Sequence, residues 1–229
     1  MSTIALRLQA VQDRIRVAAV ASGRPPDAVR LIAVSKTFTA EAVREACNAG
    51  QYAFGENYLQ DALSKIEALS DLPLEWHFIG PIQSNKTRPV AEMFSWVHSL
   101  DRLKLAERLS AARPEGLPPL QVCIQVNVSG EQSKSGCHPD ALQELAVAVT
   151  RLPRLALRGL MTIPEPTPDT AVQRQRFALL RQLKERLVSS GLVLDSLSMG
   201  MSDDMESAIA EGATMVRVGR AIFGPRQSR

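Results

Sequence analysis

The 229 residues, 45% hydrophobic and 22% charged, have the apolar content of an ordinary globular protein, and without a repeat, low-complexity stretch or linker they read as one domain, 1–229. A net charge of +3, basic residues interleaved with acids, and only 4% aromatics supply neither the basic stripe nor the stacking platform of a nucleic-acid binder. Cys47, Cys123 and Cys137 form no CxxC pair, Arg7, Asp13, Arg14 and Arg16 interrupt any leader, and no stretch approaches the roughly 20 apolar residues of a membrane span, which argues against a zinc site, secretion or a membrane and for a cytoplasmic chain.

Residues 3–20 have the pattern of an amphipathic helix, with Leu8, Val11, Ile15 and Ala18 at helical spacing. Gly23-Arg24-Pro25-Pro26 breaks it, so it is an extra element ahead of the first strand. That strand is Leu31-Ile32-Ala33-Val34-Ser35-Lys36, a continuous apolar run of the kind buried on both faces. Alternation puts Ile32, Val34 and Lys36 on one face, with the lysine at the strand's C-terminal end. Taken alone, such a lysine can simply escape to solvent.

Thr39 caps a helix over 39–49 that Gly50 stops. A brief strand, Tyr52-Ala53-Phe54, ends at Gly55-Glu56-Asn57, and helix 57–69 carries a stripe of Leu59, Ala62, Leu63, Ile66 and Leu69. The third strand runs from Glu75 to Ile79 and closes with Gly80-Pro81, before a helix around 85–93. Ser95 to Leu100 is the fourth strand, and Asp101 is the expected cap of a helix reaching 112.

The fifth strand, Leu120 to Val128, is the longest apolar run, and Pro139 suits the first turn of the helix after it. Strand six is Ala156 to Ile163, followed by helix 169–189. Strand seven is Leu192 to Leu197, leading through Ser198-Met199-Gly200-Met201-Ser202 into helix 203–211. Strand eight, Thr214 to Val218, stops at Gly219, and a last short segment reaches Phe223.

Eight strands, each followed by a helix, imply a parallel sheet, and eight units imply closure into a (β/α)8 TIM barrel. An open doubly wound sheet is the alternative, but no first-turn GxGxxG is present. In a barrel the chemistry gathers at the C-terminal strand ends. Those ends carry Lys36, Glu56 with Asn57, His77, Asn127, Met161 with Thr162, and the loops 198–204 and 217–221.

Phosphate sites in barrels commonly follow strands seven and eight. The Gly-Ser loop before helix 203–211 and Gly219 stand there, with Asp203 and Asp204 serving the helix N-terminus. Arg217, in an otherwise apolar strand, needs a partner. That partner is either Glu56 or another carboxylate, or a planar ligand. A strand-one lysine with such a cradle suits a Schiff-base aldolase of sugar phosphates or a pyridoxal phosphate site, and the pattern leaves both open.

The segments AVSKT (33–37), FGENY (54–58), WHFIGPIQSNK (76–86), SKSG (133–136), RGLMTI (158–163), LSMGMSDDMESAI (197–209) and VRVGRAIFG (216–224) resemble the pyridoxal-phosphate homeostasis protein family, small single-domain relatives of the alanine racemase barrel. The resemblance implies a fold-type III barrel that binds pyridoxal 5′-phosphate (PLP) without established turnover, in vitamin B6 and amino-acid homeostasis. It assigns Lys36 to the aldimine and Ser202, Gly219 and the backbone of Arg220 to the phosphate. Arg217 goes to the pyridine nitrogen, Asn57 and Met161 line the ring, and Lys134 stands at the rim. Two positions depart from the family pattern: Arg220 replaces a small hydroxyl residue, and Phe38 replaces a basic one.

The resemblance also makes PLP-dependent apoenzymes the expected recipients of the cofactor from a monomeric carrier. The alternative is a PLP-dependent amino-acid racemase or decarboxylase. A cationic Arg217 disfavours the protonated ring that serves carbanion chemistry, and related racemases take a second base from another domain. His77, His98 and His138 read as structural. Burial and Arg217 are expected to favour a neutral, nucleophilic Lys36 amine.

Overall fold

The computed structural model describes residues 2–130 and 135–225; Lys134 lies outside them. The chain runs α1 (Thr3–Ala21), β1 (Arg30–Val34), α2 (Ala40–Asn48), β2 (Ala53–Glu56), α3 (Leu59–Ala68), β3 (Glu75–Phe78), α4 (Thr87–Met93), β4 (Trp96–Leu100), α5 (Leu103–Ala112) and β5 (Leu120–Gln125). It continues through α6 (Leu142–Thr150), β6 (Leu155–Met161), α7 (Thr170–Ser189), β7 (Ser196–Ser198), α8 (Met205–Ala210), β8 (Met215–Val218) and α9 (Arg220–Phe223). Short 3-10 turns precede α4 and α6. The eight strands are parallel and close in sequence order, β8 pairing with β1 from Arg30 opposite Met215 to Ala33 opposite Val218. The expected barrel and leading helix are both present.

Period-2 alternation divides the strand side chains between two layers. Leu31, Ala33, Phe54 and Val216 point outward and are buried against the helices. Ile32, Ala53, Trp96, Cys123, Met161 and Met215 point inward and form a small plug of their own. Each fully buried large apolar side chain in either layer contributes about 1.5–3 kcal/mol. No helix among the described residues is long and apolar enough to cross a membrane.

Several local expectations need correction. Asp101 does not cap α5: the helix starts at Leu103, so Asp101 lies one residue too early, and its carboxylate takes Arg102 at 2.6 Å instead. The longest strand is β6, because β5 ends at Gln125 and Val126 continues only as a bridge to Cys137. Strand seven does not begin at Leu192. Gly191, at φ +98°, turns the chain so that the Leu192 N–H still donates to Leu187 O and closes the last turn of α7.

Gly159 marks the tightest approach between strands. A Cβ there would lie 1.8 Å from Ser196 O on β7, so β6 and β7 can pair at this register only through a glycine.

Candidate functional site

A cavity of about 680 Å³ opens at the C-terminal strand ends, its walls including Val34, Lys36, Asn57, Ser202, Arg217 and Gly219. Lys36 follows β1 directly. Thr37 then adopts φ +67°, a region that disfavours branched side chains, and Phe38 N–H returns to Ser35 O at 3.0 Å. This turn ends the strand and leaves the lysine on the cavity wall. The ring of Phe38 stacks on Phe223 with centroids 5.0 Å apart, so the side chain two places after Lys36 is held in an aromatic pair.

A buried network holds the same strand end from the outer side. Ser35 Oγ donates to Glu56 Oε1 at 2.6 Å, and Lys65 Nζ donates to Ser35 O at 2.7 Å and also pairs with Glu56. Glu56 is fully buried, and its Oε2 has no partner among the described residues. Burial pushes the Glu56 carboxyl above its ordinary value, against the pull of Lys65 and the Ser35 hydrogen bond.

The expected Glu56–Arg217 alternative is thereby excluded. Glu56 shares the outward parity of Phe54, whereas Arg217, paired in register with inward-facing Ile32, points into the barrel. Arg217 is only 3% exposed; its Nη1 donates to Ser198 Oγ at 2.6 Å and its Nη2 to Thr162 O at 2.8 Å. Burial lowers its pKa to about 10, opposed by Asp204 and Cys123, so it remains a cation at neutral pH.

The loop after β7 and the end of β8 form the other wall. Gly200, at φ +95°, accepts the Arg217 N–H at 2.9 Å and ties this loop to β8. Gly219 lies so close to β1 that a Cβ would meet Val34 O at 2.9 Å. Asp204 holds the N-cap position of α8 as expected, but its side chain makes no hydrogen bond to the helix N–H groups. Asp204 Oδ1 accepts the Met201 N–H at 2.6 Å and pins the loop, while Asp203 pairs with Arg220 at 2.5 Å on the surface. From α1, Arg14 reaches Glu206 at 2.7 Å and the Ser202 carbonyl at 3.4 Å, bracing this wall from outside.

Lys36, Asn57, Ser202, Arg217, Gly219 and Arg220 thus share one cavity. Met161 packs instead in the inner plug and does not line it. Asn57 Oδ1 is buried without a partner among the described residues, and a Cβ on Gly80 would come within 2.2 Å of Asn57 O, so that glycine seats the asparagine. Asn127 turns its Oδ1 to the Ser129 and Gly130 N–H groups, and His77 is buried within the barrel. His138 is an exposed cap, with Nδ1 accepting the Asp140 N–H. Among the described residues no group of three or more His, Cys, Asp or Glu side chains could hold a metal ion.

Sequence reasoning missed Lys65, and it read Ser198 only as part of the loop after strand seven, not as the partner of Arg217. Lys65 had a signal: it stands three residues after Ala62 and four before Leu69, on the buried face of α3.

The chain matches the family described as alanine racemase, N-terminal domain, over residues 6–227. It is 65% identical over 226 residues to the pyridoxal phosphate homeostasis protein of Pseudomonas aeruginosa, covering 99% of this chain and 97% of the relative. It is 53% identical over 233 residues to the Escherichia coli protein of the same name, covering 99% and 98%. Among solved structures it is similar to PipY of Synechococcus elongatus with PLP bound, at a TM-score of 0.85 and 40% identity, covering 96% of this chain and 100% of that one.

Proposed function

This chain belongs to the pyridoxal phosphate homeostasis family of alanine racemase N-terminal-type barrels, and from that premise we propose that it holds pyridoxal 5′-phosphate reversibly in the cavity at its C-terminal strand ends. The observation that carries this reading is one cavity walled by a strand-end lysine, a buried arginine and a close-packed glycine–serine wall. Its volume, about 680 Å³, is within the range of small cofactor sites. The buried, unpartnered Asn57 Oδ1 on the cavity wall fits a polar ligand that would satisfy it.

When bound, the cofactor supplies an aldehyde for an amine and a ring that can store electrons. Lys36 is the amine that would take the aldehyde. Ser202, Gly219 and the Arg220 backbone would hold the phosphate, and Asn57 and Arg217 would hold the ring, Arg217 on the side of its nitrogen. A cation at Arg217 disfavours protonation of a facing ring nitrogen, and this supports holding the cofactor over turning over amino acids as a racemase or decarboxylase does. We place the protein in the cytoplasm as a monomeric carrier that gives PLP to apoenzymes.

The test is a titration with PLP followed by visible absorbance, with D- and L-alanine as substrates. Binding without racemisation or decarboxylation is expected; absence of any chromophore at saturating PLP would sink the reading.

Two further results are expected. Pyridoxal lacks the phosphate, so it loses charge-assisted contacts worth about 2–3 kcal/mol and binds at least about 30-fold more weakly than PLP. Equal affinities by equilibrium dialysis would show that the phosphate wall is misplaced. Arg220→Thr, by contrast, changes PLP affinity less than about twofold, because the guanidinium is engaged with Asp203 on the exposed side. A tenfold loss would show that the side chain reaches the phosphate.

A further inference from the structure

The inside of a parallel barrel is ordinarily filled with branched apolar side chains. Here a polar chain runs past the inner plug. Arg217 Nη1 donates to Ser198 Oγ at 2.6 Å, and Ser198 Oγ lies 2.7 Å from His98 Nδ1. His98 Nε2 lies 2.9 Å from His77 Nδ1, and His77 Nε2 lies 2.7 Å from Glu75 Oε1, a close charge contact outside hydrogen-bond geometry. Both imidazoles and Ser198 are fully buried. Glu75 also meets Arg30 at 2.7 Å, and the two line a second cavity at the N-terminal strand ends, opposite the cofactor cavity.

The direction of the chain follows from its carboxylate end. A guanidinium can only donate and a carboxylate can only accept. The ionised Glu75 therefore requires the proton of His77 on Nε2, which leaves Nδ1 as an acceptor. That acceptor requires a proton on His98 Nε2, which leaves His98 Nδ1 to accept the Ser198 hydroxyl. Ser198 in turn accepts from Arg217. The arginine end is compatible with this assignment, since the Ser198 hydroxyl can accept from Arg217 while donating to His98, and neither ring carries an extra proton.

We propose that His77, His98 and Ser198 are positioning residues that form a one-way hydrogen-bonded relay through the barrel and, with Glu75 against His77 Nε2 at the opposite mouth as a distant counter-charge, hold Arg217 as a fixed cationic donor on the cofactor cavity. Hydrogen bonds aligned in one sense polarise one another in a low-dielectric interior, so the relay acts as a directed dipole. What Arg217 faces above rests on the reading of the cavity as a PLP site; the relay itself does not.

The charged neighbours agree with this polarity. Burial holds His77 and His98 below the ordinary imidazole value; Glu75 opposes this at His77, while Arg30 adds to it, and His77, Arg217 and Arg30 lower His98 further. Burial alone would raise Glu75, but the nearby His77 and Arg30 hold its carboxyl below the usual range. A proton travelling the relay would leave an arginine of pKa about 10 for that carboxylate, so the chain orients charge and does not shuttle it.

The test has two arms. In the first, protein without PLP is labelled with ¹⁵N-histidine and its ring tautomers are read by NMR between about pH 6 and 8, with exposed His138 as reference. Both buried rings are expected as neutral Nε2–H tautomers throughout. Either ring found as Nδ1–H or doubly protonated overturns the relay. In the second arm, Glu75→Gln is loaded with PLP and the pH midpoint of its visible band is compared with wild type. Removing an anion disfavours protonated groups, so the midpoint falls by about half a unit or more. An unmoved midpoint in a folded variant overturns the coupling. A wild type that forms no band refutes the PLP reading and leaves the first arm to decide the relay.

Discussion

Lys36→Ala eliminates covalent capture of PLP and leaves the barrel folded. Lys36 is the lysine on the cavity wall, and it follows the strand end without belonging to either hydrophobic layer. Its loss removes the nucleophile and no core contact. The thermal midpoint is therefore expected within about 2 °C of wild type. Lys36→Arg keeps length and charge but has no amine able to condense with an aldehyde, so it is expected to fail equally. The check is borohydride reduction of the loaded protein followed by peptide mass mapping. In wild type the label belongs on Lys36, and in both variants it falls to background. Residual binding through the phosphate wall remains visible by dialysis. A label on Lys86 or Lys134 with Lys36 unmodified would overturn the assignment.

Lys65→Met is expected to be the most destabilising single change near the site. It strips the partner from Glu56, which is fully buried and already has one oxygen without a hydrogen bond. An uncompensated buried carboxylate of this kind costs about 3–5 kcal/mol. The pH dependence has a definite sign. Burial raises the folded-state pKa of Glu56 above the unfolded value, so the folded state binds the extra proton. This contribution favours folding at low pH and is lost as pH rises through the raised value. Removing Lys65 raises that value further, so the deficit of the variant shrinks toward pH 5 and grows toward pH 8. Urea denaturation at several pH values measures it. A deficit under about 1 kcal/mol, or one independent of pH, would show that Lys65 is not the balancing charge. Because Lys65 also holds the Ser35 carbonyl beside Lys36, the variant is further expected to capture PLP more slowly.

The elements that sequence reasoning recovered best are those with strong local signals. The apolar run ending in Lys36 and the glycines closing β8 and the loop after β7 declared themselves, as did the eight alternating units. Boundaries failed where a neighbouring element retained a residue's backbone groups. Leu192 reads as strand from its apolar neighbours, yet its N–H completes the last turn of α7. Asp101 is a residue type that caps helices, but the helix begins one residue too late for it to act.

The chain alone therefore determined the barrel, the family and six of the residues that share its cavity, because hydrophobic period, turn glycines and strand-end residues are local properties. Tertiary structure decided which charges meet. The glycine between Phe54 and Glu56 gives no apolar signal of facing, so the outward parity of Glu56 and its pairing with Lys65 emerged only from the sheet register. Likewise, His98 and Ser198 stand 100 residues apart in sequence. Nothing local marks them as neighbours; closure of the barrel brings them within hydrogen-bond distance, where low dielectric leaves each buried polar group dependent on the next.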